Sequence, residues 1–101
     1  MAVECTCRER ELTVTLSGEL DHHGAKQIMA HMDHQIDLEL PKQLTVDMGG
    51  ITSSDSSGIA VLLRAQRRMA QLDGHMTVTN VPGQADRVFR AAGLHRIIQF
   101  K

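Results

Sequence analysis

The chain has 101 residues, a length that one domain over residues 1–101 accommodates. A hydrophobic fraction of 42% supports a core that is aliphatic and methionine-rich, because Trp and Tyr are missing and Phe89 and Phe100 are the only aromatic rings. The formal net charge of -1 excludes a global basic field that would draw the chain to nucleic acid or an anionic membrane, and no apolar run approaches the roughly 20 residues of a membrane span.

The opening stretch MAVECTCRER lacks the long apolar core of a signal peptide, so a cytoplasmic location is expected. Residues 3–8 are compatible with a strand. Cys5 and Cys7 lie two apart on it and share a face. The pair is too sparse for a structural zinc site or a disulfide framework and reads as two small apolar side chains. Leu12, Val14 and Leu16 alternate with Thr13, Thr15 and Ser17, the period of a half-buried strand. The two segments predict an N-terminal hairpin that ends at Gly18.

Asp21 is a candidate N-cap for a first helix. Ala25, Ile28, Met29, Met32, Ile36 and Leu40 form its apolar stripe, and Pro41 stops it. Leu44, Val46 and Met48 predict a third strand that Gly49-Gly50 loosens, followed by a serine-rich loop. Ile59, Leu62, Leu63, Gln66 and Ala70 trace the apolar face of a second helix, closed by a turn at Asp73-Gly74. Met76 and Val78 mark a strand over 75–80. Pro82 opens a short third helix with Ala85, Val88, Phe89 and Ala92 inward and Gly93 as its C-cap. Ile97, Ile98 and Phe100 predict a last strand. The order β-β-α-β-α-β-α-β implies an α/β fold with a mixed, mostly parallel sheet and crossover helices.

Asp55-Ser56-Ser57-Gly58 stands between the third strand and the second helix. Ser56 at that entrance is either an N-cap or a chemical target. A hydrolase nucleophile elbow requires Gly-x-Ser-x-Gly, and Ser54 replaces the first glycine. The loop 50–58 is not a phosphate-binding P-loop, because no Lys follows the glycine. Asp55 as a phosphoacceptor or Mg²⁺ ligand would need more carboxylates, for which Glu19, Asp21 and Asp47 are the candidates. His22, His23, His31 and His34 fall in or beside the first helix without H-E-x-x-H spacing and read as solvated, so neither a metal nor another cofactor is expected. Arg64, Arg67 and Arg68 form a basic stripe, either a solvated face or a docking surface for an acidic partner. Gly58 answers either a conformational need of the loop or the close approach of a partner.

Two motifs together resemble a known family. Leu16-Ser17-Gly18-Glu19-Leu20-Asp21-His22-His23 is similar to the loop after the second strand in bacterial anti-sigma factor antagonists. Asp55-Ser56-Ser57-Gly58-Ile59-Ala60-Val61-Leu62-Leu63 is similar to their phosphorylation segment, and Ala92-Gly93-Leu94 also fits. The chain therefore resembles a stand-alone STAS domain of the sporulation branch over nearly its whole length.

The resemblance implies that Ser56 is the phosphoacceptor, that Ser57 is its neighbour, and that Asp21 and His22 belong to the adjoining binding surface. With Asp55, Gly58 and Arg64, these are the candidate partner contacts. It further implies an anti-sigma factor serine kinase that is bound in place of a sigma factor, and a PP2C-type phosphatase that restores the hydroxyl. The free protein is expected to be a monomer and not an enzyme. A scaffold component of a stressosome-like assembly is the alternative.

Two departures from the family are visible. Ser53 and Ser54 replace apolar residues, which predicts a more mobile loop. The chain stops at Lys101, where longer relatives add a helix, which predicts a less covered sheet face. Phosphorylation of Ser56 would add about -1.5 to -2 charges, which the dipole and free N–H groups of a helix N-terminus are expected to tolerate.

Overall fold

The computed structural model describes residues 2–101. Strand β1 (Ala2–Arg8) turns back into β2 (Glu11–Leu20) through Glu9 and Arg10, both at positive φ (53° and 64°). Helix α1 (His22–Glu39) leads to β3 (Gln43–Ser54), α2 (Ser57–Gln71) to β4 (His75–Thr79), and α3 (Gly83–Ala91) with a 3₁₀ turn (Leu94–Arg96) to β5 (Gln99–Phe100). The strands lie side by side in the order β1-β2-β3-β4-β5. The first pair is antiparallel and the other three are parallel.

This order decides where the helices go. All three crossovers advance in the same direction across the sheet, and right-handed crossovers then stack every helix on one face. The burial pattern agrees. Leu12, Val14 and Leu16 of β2 and Leu44, Val46 and Met48 of β3 are buried beneath the helices, with Ile28, Met32, Ile36, Leu62, Met69 and Phe89 above them. The opposite face carries Thr6, Thr13, Thr45 and Thr77 in one cross-strand row. No helix among the described residues is long and apolar enough to cross a membrane.

Several expectations are corrected. The third strand runs through Gly49-Gly50 to Ser54. The glycines form a bulge: Thr15 pairs with Asp47 but Ser17 with Gly50, and a Cβ on Gly50 would lie 2.7 Å from that of Ser17. The pair thus lets the strand continue and shifts its register, where a loosened end was expected.

On α2 the buried face is Val61, Leu62, Ala65 and Met69, while Ile59, Leu63 and Gln66 are half-buried and Ala70 is exposed. This helix touches both α1 and α3 as well as the sheet, which widens and rotates the face it buries. Leu40 leaves the stripe of α1: it ends the helix in the left-handed region (φ 45°) and is 49% exposed. Ala92 is exposed as the C-cap of α3, and Gly93 (φ 79°) precedes the 3₁₀ turn. Only Gln99 and Phe100 form the last strand, with Ile98 buried just before it and Ile97 exposed.

Candidate functional site

Parallel pairing of β2 and β3 brings the two sequence motifs together. Leu20 and Ser54 are register partners at the carboxyl ends of these strands, and the Asp55 N–H donates to the Leu20 carbonyl at 3.2 Å. Asp21 and Asp55 therefore leave neighbouring strands side by side. Each enters a helix at once, so the amino ends of α1 and α2 share the carboxyl edge of the sheet, a common place for ligands on such folds.

At the first entrance Asp21 is an N-cap, as expected. Its carboxylate accepts from the Gly24 N–H at 2.7 Å, and its extended backbone (φ -110°) is the usual geometry for the role. His22 follows as the first helical residue and is exposed.

The second entrance is built differently. Ser56 has right-handed helical geometry (φ -63°, ψ -14°), and its hydroxyl makes no capping bond. Asp55 supplies that bond from one residue earlier, its carboxylate accepting from the Ser57 N–H at 2.7 Å. The Asp55 carbonyl also accepts from the Gly58 N–H at 3.2 Å. The Ser56 side chain is thereby exposed and left without a structural task. The same bonds leave fewer free N–H groups for a phosphate than the sequence suggests, because Asp55 engages those of Ser57 and Gly58.

Gly58 faces the interior. A Cβ there would lie 2.4 Å from Ser54 Oγ and 3.0 Å from both Leu20 Cδ2 and Phe89 Cε1. The crowding comes from the chain's own side chains, so close packing of α2 onto β2, β3 and α3 requires the glycine, in place of the partner approach considered from the sequence. Ser54 fills this junction. It is 3% exposed, and its Oγ donates to the Asp55 carbonyl at 3.0 Å.

The residue that sequence reasoning missed is Gln84. From the first turn of α3, its Oε1 accepts from the Ser54 N–H and its Nε2 donates to the Ser54 carbonyl, both at 2.9 Å. This two-point clamp holds the end of β3 just ahead of the serine. Where Ser54 in place of an apolar residue suggests a looser loop, its side chain is buried and its backbone is bonded on both sides, while Asp55 and Ser56 beyond it are exposed. No signal in the sequence marks Gln84, because a polar side chain near a helix start reads as solvated.

Arg64 lies about two turns beyond Ser56 on α2. Its guanidinium donates through Nε and Nη2 to Asp33 Oδ2 on α1, at 2.9 and 2.6 Å. Asp33 raises the Arg64 pKa further. Arg68 bridges Asp33 and Asp37. Arg67 is exposed and joins no salt bridge among the described residues. The stripe thus divides: two of its arginines tie α2 to α1, and the third points to solvent. Met29, Leu63 and the three arginines line a shallow depression of about 490 Å³ between the helices.

The remaining candidates do not assemble. Asp47 is engaged by the Gly49 N–H at 2.9 Å and Asn80 Nδ2 at 3.1 Å, well back along β3 from Asp55. Glu19, His22, His23, His31 and His34 are exposed. Among the described residues no three His, Cys, Asp or Glu side chains are placed to hold a metal. Cys5 and Cys7 are free, half-buried thiols packed at the edge of the core. Burial pushes both thiol pKa values up, and the Glu39 carboxylate adds to the effect at Cys7.

Comparison with known proteins bears on this geometry. A family model described as "Mlab, STAS domain" matches residues 5–99. An anti-sigma F factor antagonist from Paenibacillus polymyxa is 32% identical over 87 residues, covering 86% of this chain and 74% of that protein. Another, from Lysinibacillus sphaericus, is 29% identical over 92 residues, covering 91% and 78%. The structure of the anti-sigma factor antagonist SpoIIAA in its unphosphorylated form superimposes with a TM-score of 0.86 at 25% identity, over 99% of this chain and 88% of that one.

Proposed function

The chain belongs to the STAS domain family, and we propose that it is an anti-sigma factor antagonist switched by phosphorylation of Ser56. One observation carries the choice of residue: Ser56 presents an exposed hydroxyl at the entrance of α2 that no capping bond engages, while Asp55 performs the capping. Ser57 is half-buried, and its N–H is committed to Asp55. Ser54 is buried and bonded. Of the serines around the entrance, Ser56 is the most accessible to another active site.

In the unmodified state the protein binds an anti-sigma factor that is a serine kinase, and by doing so releases a sigma factor. Asp21, His22, Asp55 and Ser57 surround the serine as contact residues. Arg64 serves the surface through α1, since its guanidinium is held by Asp33. In the transfer step Ser56 Oγ attacks the γ-phosphorus of the kinase's ATP. The new O–P bond forms as the bond to the bridging oxygen of ADP breaks, and the hydroxyl proton passes to a base on the kinase. A PP2C-type phosphatase hydrolyses the ester and restores the hydroxyl.

The electrostatics favour a switch at the interface over one in the fold. The phosphate adds about -1.5 to -2 charges next to Asp55. With the Ser57 and Gly58 N–H groups already bonded, the group is directed outward, where a docked partner meets it. A cost of only ~3 kcal/mol there weakens binding more than a hundredfold.

Mass spectrometry after incubation with the cognate anti-sigma kinase and ATP tests the reading. A single phosphate mapped to Ser56 supports it. A phosphate on Ser57, or none, overturns it.

A further inference from the structure

Among the described residues strand β1 pairs with β2 on one side only, which leaves its other edge free. The turn fixes which backbone groups that edge presents. A two-residue loop of two positive-φ residues is closed by a hydrogen-bonded pair, here Arg8 and Glu11. Bonded and non-bonded pairs alternate along an antiparallel ladder. Arg8, Thr6 and Glu4 therefore bond inward to β2, and Cys7, Cys5 and Val3 direct their N–H and C=O groups outward. Side chains alternate as well: Glu4, Thr6 and Arg8 are exposed on the polar sheet face, and Val3, Cys5 and Cys7 are half-buried on the helix face.

We propose that this edge docks a second copy of the same chain, strand against strand, antiparallel about Thr6. The order Glu4-Cys5-Thr6-Cys7-Arg8 is chemically its own complement when reversed. Pairing about Thr6 sets Cys5 opposite the second copy's Cys7 in a hydrogen-bonded pair, and these are residues whose backbone groups point outward. It sets Glu4 opposite the second copy's Arg8 in a non-bonded pair, where side chains approach most closely. By symmetry each pairing occurs twice.

Neither Glu4 nor Arg8 joins a salt bridge among the described residues, so both charges are available. Other registers lose this match. Centring on Glu4 or Arg8 sets like charges together, and centring on Cys5 leaves Glu4 facing Thr6. Charges on an edge strand normally repel foreign strands. Here their opposite signs, two positions either side of Thr6, admit the chain's own edge. Because Glu9 and Arg10 turn away, the paired segment is short and the association weak and reversible. The monomer expected from the sequence is then the dilute state. The edge is two strands away from β3, which leads to Ser56, so pairing leaves the serine uncovered.

Sedimentation equilibrium of the full chain over rising concentration tests this. A reversible monomer–dimer equilibrium, weakened by salt, is expected. E4R and R8E should each weaken it about tenfold, since each substitution sets two like-charge pairs in place of two opposite ones. The double variant E4R/R8E should restore it. A monomer at every concentration up to the solubility limit overturns the proposal, as does a double variant no tighter than the single ones.

Discussion

Gln84 on α3 holds Ser54 at the end of β3 by two hydrogen bonds, one accepted from its N–H and one donated to its carbonyl, each 2.9 Å. Ser54 lies in the strand segment that ends beside Ser56, so a side chain from a distant helix sets where the serine stands. Gln84→Ala leaves both backbone groups of a buried residue without a partner, at a cost of about 1–3 kcal/mol. Urea denaturation should show that loss, and hydrogen exchange should show faster opening at Ser54 and Asp55. Gln84→Glu keeps the acceptor and loses the donor, so it should fall between the two.

Glycine-to-alanine substitutions should have opposite signs at two helix starts. At Gly58 the new methyl meets Ser54 Oγ at 2.4 Å and Phe89 Cε1 at 3.0 Å. Overpacking of that kind costs about 1–3 kcal/mol and outweighs the roughly 1 kcal/mol that alanine gains in helix propensity. At Gly83 the nearest atom is Arg87 Nη1 at 3.8 Å, and φ is not positive. Gly83→Ala should be neutral or raise the melting temperature slightly. An unchanged melting temperature for Gly58→Ala would contradict the packing described for α2.

Variants at the switch separate folding from binding. Ser56→Ala should keep the stability of the parent, because the hydroxyl makes no capping bond. It should bind the kinase and resist phosphorylation. Ser56→Asp should fold equally well and bind at least tenfold more weakly by titration calorimetry, a loss of about 1.4 kcal/mol or more. Asp55→Ala, in contrast, removes the cap on the Ser57 N–H and should cost about 1 kcal/mol of stability. Tight binding by Ser56→Asp would sink the charge mechanism.

The cysteines give a pH prediction. Burial raises the pKa of Cys5 and Cys7 in the folded chain. The folded state therefore holds these protons more tightly than the unfolded state. Their contribution to stability is complete below the ordinary thiol pKa and is lost as pH rises through the folded values. Alkylation by iodoacetamide, followed by mass, should be slow at neutral pH. It should accelerate only above the pH at which a free cysteine responds. Full reaction at neutral pH within the half-time of free cysteine would contradict the burial.

Much of the fold is legible along the chain because its causes are local. Alternation at Leu12, Val14 and Leu16 and the three-to-four spacing from Ala25 to Ile36 each follow from one element meeting one apolar layer. Asp21 shows its capping role by preceding an apolar stripe, and the capping bond is present. The buried face of α2, with Val61, Ala65 and Met69, departs from the stripe the spacing predicts because the helix packs on neighbouring helices as well as on the sheet. Periodicity along one helix carries no information about how many neighbours it has.

By itself the sequence determined the order of elements, the mostly parallel sheet, the hairpin at the start, and the meeting of strand and helix at Asp55-Ser56-Ser57-Gly58. Each follows from side-chain periodicity or from the backbone preferences of short segments. Only the tertiary structure decided that Gly49-Gly50 is a bulge inside a continuing strand, that Asp55 and not Ser56 caps α2, that Gly58 is filled around by Ser54, Leu20 and Phe89, and that Gln84 secures the segment. These are contacts between residues far apart in the chain, or choices between adjacent polar groups of similar capping ability. Their outcome is set by where the packed elements leave room and which backbone groups they leave unpaired.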